Sequence, residues 1–277
     1  PALPTSASDE KTCSLAIDLD ALRFGKPAAG PSFADVRATA ASSDTKMNVV
    51  LIVLESVGAL QLLDKGAPRA DAAPRMRALA EKALVFDRLY DMFPGTVRSH
   101  VPLATGGRTV TWGGLYDELE ATYKGPTLAG EFARAGYRTA LVSAQGLDFE
   151  NLGHFYRKMP WHYLVEPDKT DDASLKAARL NTWGIDEAKT KELALEWLAP
   201  RKEGAAARAP AEPFFLLFLT SGTHHPYSAP KGYEGPRKGK GRLDRYLNAL
   251  HYADKIIGEL ADGLRAMGVL ERTLIAI

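Results

Sequence analysis

Residues 48–54 read Asn-Val-Val-Leu-Ile-Val-Leu, and only the first of the seven is polar. A half-exposed strand alternates apolar and polar side chains. An unbroken apolar run has no wet face, so it belongs in the middle of a parallel sheet covered on both sides. Residues 214–220, Phe-Phe-Leu-Leu-Phe-Leu-Thr, repeat the pattern. Helical stretches lie between and after these runs. Residues 74–83 start with a proline in the first turn, and residues 127–136 stop at Gly136. Residues 186–198 are closed by Pro200. Residues 242–267 carry Leu243, Leu247, Leu250, Ile257, Leu260 and Leu264 at helical spacing. Further strands are expected at 84–90, 137–143 and 273–277. Strands alternating with helices predict an α/β fold with a mostly parallel central sheet sandwiched by helices.

With 277 residues, 45% of them hydrophobic, the chain is long enough for one large domain, expected over 47–277. Residues 1–46, rich in Ala, Ser and Pro, read as a linker or lead-in with a short helix near 18–23. Residues 201–213 read as a surface loop. A formal net charge of +1 gives no overall field for nucleic acid. Cys13 is the sole cysteine, which excludes an internal disulfide and a cysteine-based zinc site. No apolar stretch reaches the length of a transmembrane helix. The sequence starts at Pro1 and stops at Ile277 inside an apolar run, so it is expected to be a piece of a longer protein.

In parallel sheets, ligands gather at the carboxyl ends of the strands. Glu55, Ser143 and the turn at 220–225 fall at such ends. Glu55 is either an exposed acid favoured by a helix dipole or a ligand for a divalent metal. Phe93-Pro-Gly-Thr-Val-Arg-Ser-His100 opens a helix-like segment ending at Thr105-Gly106. There Thr96 either caps the helix or acts as a nucleophile near a cation, with Ser99 as its rival. Arg98 and His100 flank it and are candidates to hold an anionic oxygen. His224-His225-Pro226-Tyr227 is either a polar turn or a source of proton donors and substrate or metal contacts. Asp148, Glu150 and Asn151 are weaker cleft candidates. His154, His162 and His251 are assigned structural roles.

Together these segments resemble the alkaline-phosphatase/sulfatase superfamily, in particular the lipoteichoic acid synthase and phosphoglycerol transferase branch. Sulfatases carry Asn-Val-x-x-Ile-x-x-Asp-Asp, and here Glu55-Ser56 replace the two acids, as in that branch. Sulfatases also carry Cys-x-Pro-Ser-Arg followed by Thr-Gly. Thr96 holds the Cys position, Ser99 matches the Ser, and Thr105-Gly106 match the Thr-Gly. Gly136-Tyr137-Arg138-Thr139 matches the family's Gly-Tyr-x-Thr. Tyr246, Tyr252 and Asp254 fit the long helix before the final metal-binding strand.

The departures carry chemistry. Threonine cannot become formylglycine, the sulfatase Arg is His100 here, and the Lys and His after Gly-Tyr-x-Thr are absent. The resemblance therefore implies phosphate-ester rather than sulfate-ester chemistry. It implies that Thr96 is nucleophile and metal ligand, and that Glu55 is a metal ligand. The cation would be manganese, magnesium or zinc. It gives His224 or His225 a substrate contact, because His224 precedes Pro226 by two residues as in the His-x-Pro loop. The implied donor is a phospholipid headgroup of phosphoglycerol or phosphoethanolamine type. The implied acceptor is a glycan, a polymer or water, outside the cytoplasm, in a membrane-anchored parent. The remaining metal ligands are expected in a Gly-Asp-His-Gly motif after the last strand. With that region cut off, weak metal binding and no activity are expected of residues 1–277. The alternatives are a sulfatase-like hydrolase of another ester and a catalytically degenerate binder of envelope glycans.

Overall fold

A computed structural model of the chain describes residues 46–86, 89–91, 93–107, 123–169, 171–199 and 212–277. Its centre is a five-stranded, all-parallel sheet. The strands are β1 (Asn48–Val53), β2 (Arg138–Ser143), β3 (Tyr163–Val165), β4 (Phe214–Leu219) and β5 (Thr273–Ala276), in the spatial order β3-β2-β4-β1-β5. The principal helices are α1 (Pro74–Ala80), α2 (Thr96–Thr105), α3 (Leu128–Arg134), α4 (Leu152–Arg157), α5 (Glu187–Leu198) and α6 (Arg242–Ala266).

The apolar run of β4 is explained by two cores. Phe214, Leu216 and Phe218 enter a cluster with Met76, Leu198, Leu250 and Ile256 from α1, α5 and α6. Phe215, Leu217 and Leu219 enter a second cluster with Val97, Val101, Ala129 and Tyr156 from α2, α3 and α4. Successive side chains point to opposite faces, and both faces are dry, so no position of β4 tolerates a polar residue. β1 divides likewise, with Val50 and Ile52 in the first cluster and Val49, Leu51 and Val53 packed on the second.

Register aligns the carboxyl ends. Val53 and Ser143 both lie opposite Leu219, so the segments after β1, β2 and β4 emerge side by side. Two further features hold the helices that frame that edge. Thr127 caps α3 by accepting from the Gly130 N–H at 3.1 Å, and Gly136, at φ +80°, turns the chain into β2. α1 has no capping side chain of its own. Asp254 of α6 accepts from the backbone N–H groups of Arg75 and Met76 at 2.9 and 2.7 Å. Burial raises the Asp254 pKa, and those two donors oppose the rise.

The described residues of the expected strand at 84–90 form no strand. Residues 84–86, 89 and 90 lie outside every sheet, with Leu89 and Tyr90 76% and 83% exposed. Both neighbours of β1 are taken, by β4 and β5, and the described residues of this segment pair with neither open edge of the sheet, β3 or β5. α1 stops at Ala80 rather than residue 83. β3 went unforeseen because three residues are too few to show a period. The expected helix at 18–23 lies outside the described residues, as does nearly all of the expected loop at 201–213. Among the described residues, no helix is long and apolar enough to cross a membrane.

Candidate active site

Glu55 leaves β1 two residues after Val53, and its backbone is tied on several sides. Its N–H donates to Thr220 Oγ1 at 3.0 Å, and its carbonyl accepts from the Thr223 hydroxyl. The Thr220 N–H continues the ladder to the Val53 carbonyl at 3.1 Å. The Ser56 hydroxyl donates to Glu55 Oε1 at 2.8 Å, and Tyr246 of α6 donates to the Ser56 carbonyl at 3.0 Å. Ser56 itself sits at φ +56°, a left-handed conformation that a side-chain-bearing residue rarely adopts unless its surroundings impose it.

Thr96 is the first residue of α2, and Gly95 is the N-cap, which has no side chain to cap with. The Thr96 hydroxyl makes no capping bond. It lies 3.3 and 3.2 Å from the two Glu55 carboxylate oxygens and donates across them. The helix start adds its partial positive charge at the same place. α2 ends at Gly106, φ +66°, which is the left-handed closure that the Thr-Gly pair supplies.

The other candidates on α2 turn elsewhere. Ser99 Oγ lies 2.6 Å from Asp91 Oδ2 and 2.8 Å from the carbonyls of Phe93 and Gly95, so it staples the turn before the helix. The Arg98 guanidinium stands 4.5 Å from the Phe93 ring centroid. His100 requires a correction. It is only 2% exposed, its Nδ1 is 2.7 Å from the Tyr156 hydroxyl, and burial pushes its pKa down to about 4. A neutral imidazole inside the core cannot hold an anionic oxygen in the cleft.

His224 follows β4. Its Nδ1 is 2.8 Å from the His225 carbonyl, which can only accept, so Nδ1 donates to it and Nε2 is the ring nitrogen left for another partner. The imidazole lies against Trp183, with ring centroids 4.3 Å apart. Glu55, Thr96, His224 and Trp183, with Gln145 and Phe149, line one pocket of about 80 Å³. Arg98, Ser99, His100 and His225 are not in its wall. The His225 ring is edge-on to Tyr227. Of the 148–151 candidates, Asp148 pairs with Lys169 at 3.0 Å, while Glu150 and Asn151 adopt left-handed backbone and leave Phe149 in the wall. His162 and His251 bond Thr139 and Tyr233 through Nδ1, and neither lines the pocket.

Glu187 escaped the sequence reading. It is fully buried at the start of α5, and Oε1 accepts from the N–H groups of Ser221 and Gly222 at 3.0 and 2.6 Å. Oε2 has no partner among the described residues, and burial raises the pKa against those two donors. It holds the base of the loop that carries His224. In sequence Glu187 looks like an ordinary first-turn acid, and nothing there signals the distant amides. Trp183 and Gln145 were equally silent, since each depends on loops brought together by the sheet.

Glu55 and Thr96 supply hard oxygen donors of the kind magnesium and manganese prefer. Among the described residues, no group of three or more His, Cys, Asp and Glu side chains forms a complete metal cage.

The sequence model of the Sulfatase family matches residues 47–277. The chain belongs to the sulfatase family. Solved structures share its fold. A protein of the alkaline phosphatase superfamily from Vibrio parahaemolyticus aligns with TM-score 0.64 at 21% identity, over 83% of this chain and 53% of that one. The lipoteichoic acid synthase LtaP from Listeria monocytogenes aligns with TM-score 0.64 at 16% identity, over 83% and 54%. The phosphoglycerol transferase GacH from Streptococcus pyogenes aligns with TM-score 0.55 at 16% identity, over 80% and 58%. The parallel sheet flanked by helices is thus the alkaline-phosphatase-like α/β fold that the sequence predicts. The chain spans little more than half the length of these structures.

Proposed function

We propose that this sulfatase-family protein transfers or hydrolyses a phosphate ester through Thr96. The observation that carries the reading is the aim of the Thr96 hydroxyl. It stands on the first residue of α2 and faces both oxygens of Glu55. In the first step Thr96 Oγ attacks the donor phosphorus. The Oγ–P bond forms, the P–O bond to the leaving alcohol breaks, and the alcohol departs with a proton. In the second step an acceptor hydroxyl attacks the phosphorylated Thr96, and the threonine regains its proton. Glu55 orients the hydroxyl, and His224 offers Nε2 to a substrate oxygen.

A divalent cation held by Glu55 and Thr96 would lower the hydroxyl's pKa and neutralise charge on the phosphoryl oxygens. Such sites use three or more protein ligands, so two oxygens are too few. We therefore infer weak metal binding and no turnover by residues 1–277 alone. Turnover by that chain, abolished in Thr96→Ala, would overturn this part.

LtaP is a lipoteichoic acid synthase and GacH a phosphoglycerol transferase, which supports a phosphoglycerol-type group as what is transferred; in this reading the donor is a lipid headgroup and the acceptor a glycan, a polymer or water. The corresponding setting is the outer side of a membrane, with a membrane-anchored parent. The test is intact-mass analysis after incubation with phosphatidylglycerol and manganese, on the chain and on a form extended past Ile277. The reading expects a glycerophosphate adduct on the Thr96 peptide of the extended form. Equal turnover in wild type and Thr96→Ala would overturn it and redirect attention to Ser99.

A further inference from the structure

One stretch of surface is charged out of proportion to the rest. Between residues 231 and 245 stand Lys231, Arg237, Lys238, Lys240, Arg242 and Arg245, against only Glu234 and Asp244. That is a local charge of +4 in a chain whose total is +1. A solvated basic loop would normally carry interspersed acids and stay mobile. This one is fixed. The Arg237 N–H donates to Asn248 Oδ1, and Asn248 Nδ2 donates back to the Arg237 carbonyl, both at 2.9 Å. The Arg237 guanidinium pairs with Asp71, and Arg245 Nη1 donates to the Lys240 carbonyl at 2.9 Å. Lys238 pairs only with Glu234, at 3.5 Å and with both side chains well exposed, where such a pair contributes little.

A large apolar side chain, Leu243, projects from the first turn of α6 among these cations, 62% exposed. One turn further along α6, Tyr246 donates to the carbonyl of Ser56, the residue after Glu55. The basic stretch is therefore tied, through Tyr246, to the residue beside Glu55. Fixed cations around an exposed leucine are the chemistry that recognises an anionic interface, with charge drawing the surface in and the leucine entering the headgroup region.

We propose that the 231–245 surface docks onto an anionic lipid bilayer. Docking would hold the pocket at headgroup level, where a lipid-borne phosphate ester resides, and raise its effective concentration. The proposal does not depend on turnover, so it stands or falls separately from the phosphoryl reading.

The test is cosedimentation of the 277-residue chain with phosphatidylcholine vesicles, with and without phosphatidylglycerol. Binding is expected only to the anionic vesicles and is expected to fall with added salt. The triple variant Lys238→Gln/Lys240→Gln/Arg242→Gln should weaken it roughly a hundredfold, at about fivefold per cation. The control triple Lys82→Gln/Lys158→Gln/Lys176→Gln should weaken it far less. Leu243→Ser should lower the binding that survives at high salt. Thermal melting of each variant confirms that the fold is retained. Absence of binding to anionic vesicles overturns the proposal, as does equal weakening by the control triple. Binding of soluble polyphosphate without binding of vesicles also overturns it, and makes the partner a soluble polyanion.

Discussion

The Thr96 hydroxyl donates to both carboxylate oxygens of Glu55, at 3.3 and 3.2 Å, across 41 residues of sequence. Neither residue reaches the other by local structure. One follows a central strand and the other starts a helix, with α1 between them in sequence. A single half-buried hydroxyl bond is worth about 1 kcal/mol, so it does not explain why two elements should converge there. The proposed phosphoryl chemistry gives the two residues a shared task.

The first prediction separates that task from stability. Thr96→Ala is expected to remove turnover by roughly 10³-fold or more in an active form of the protein. Its unfolding free energy should change by only about 1 kcal/mol. Thr96→Ser keeps the oxygen and should retain part of the activity. Kinetics and denaturant titration on the same three proteins decide the matter. A Thr96→Ala variant that works but unfolds easily would make the hydroxyl a structural strut.

Glu55 supplies the second. If its carboxylate binds a cation, Glu55→Ala should lower manganese affinity by roughly tenfold or more, measured by calorimetry. The helical content should not change, because Glu55 holds its place through backbone bonds to Thr220 and Thr223 that alanine keeps. Equal affinity in the two proteins removes Glu55 from the metal site.

Asp254 gives a prediction about the frame. Asp254→Ala leaves the N–H groups of Arg75 and Met76 without their acceptor beneath α6. A cost of about 1–3 kcal/mol is expected in urea unfolding, and Asp254→Asn should recover part of it by keeping one acceptor oxygen. No loss in Asp254→Ala would mean that water replaces the carboxylate.

These residues also show how far a sequence speaks. The two central strands were legible because complete burial leaves an unbroken apolar run, and both ends of α3 were legible because Thr127 and Gly136 act locally. Glu55, Thr96 and His224 were legible as strand-end and helix-start residues with chemistry to offer. His100 was not, because whether a histidine on a helix faces cleft or core depends on what packs against it, here Tyr156. The segment at 84–90 has strand-like residues, but its described residues join neither open edge of the sheet, and residue type alone does not decide that. Glu187 takes its meaning from amides 34 and 35 residues away. Such contacts leave no local pattern.

Glu187 and His100 together give the last prediction, since their linkages to pH run in opposite directions. Burial raises the Glu187 pKa above its ordinary 4.5, so the folded state holds the proton more tightly than the unfolded state. Its contribution is therefore complete below pH 4.5 and is lost as pH rises through the raised value. Glu187→Gln keeps an acceptor for Ser221 and Gly222 and removes the ionisation. The melting temperature of Glu187→Gln relative to wild type should thus climb as pH rises above 4.5. Burial lowers His100 from 6.5 to about 4, so the unfolded state takes up the proton first as pH falls. Stability from His100 is complete above pH 6.5 and declines down to about pH 4, by about 3 kcal/mol at 1.36 kcal/mol per pKa unit. Proton NMR should show the His100 ring titrating well below the ordinary histidine range. A His100 ring that titrates near 6.5 in the folded protein would show that the imidazole reaches water, and would return it to the list of residues able to meet an anion in the cleft.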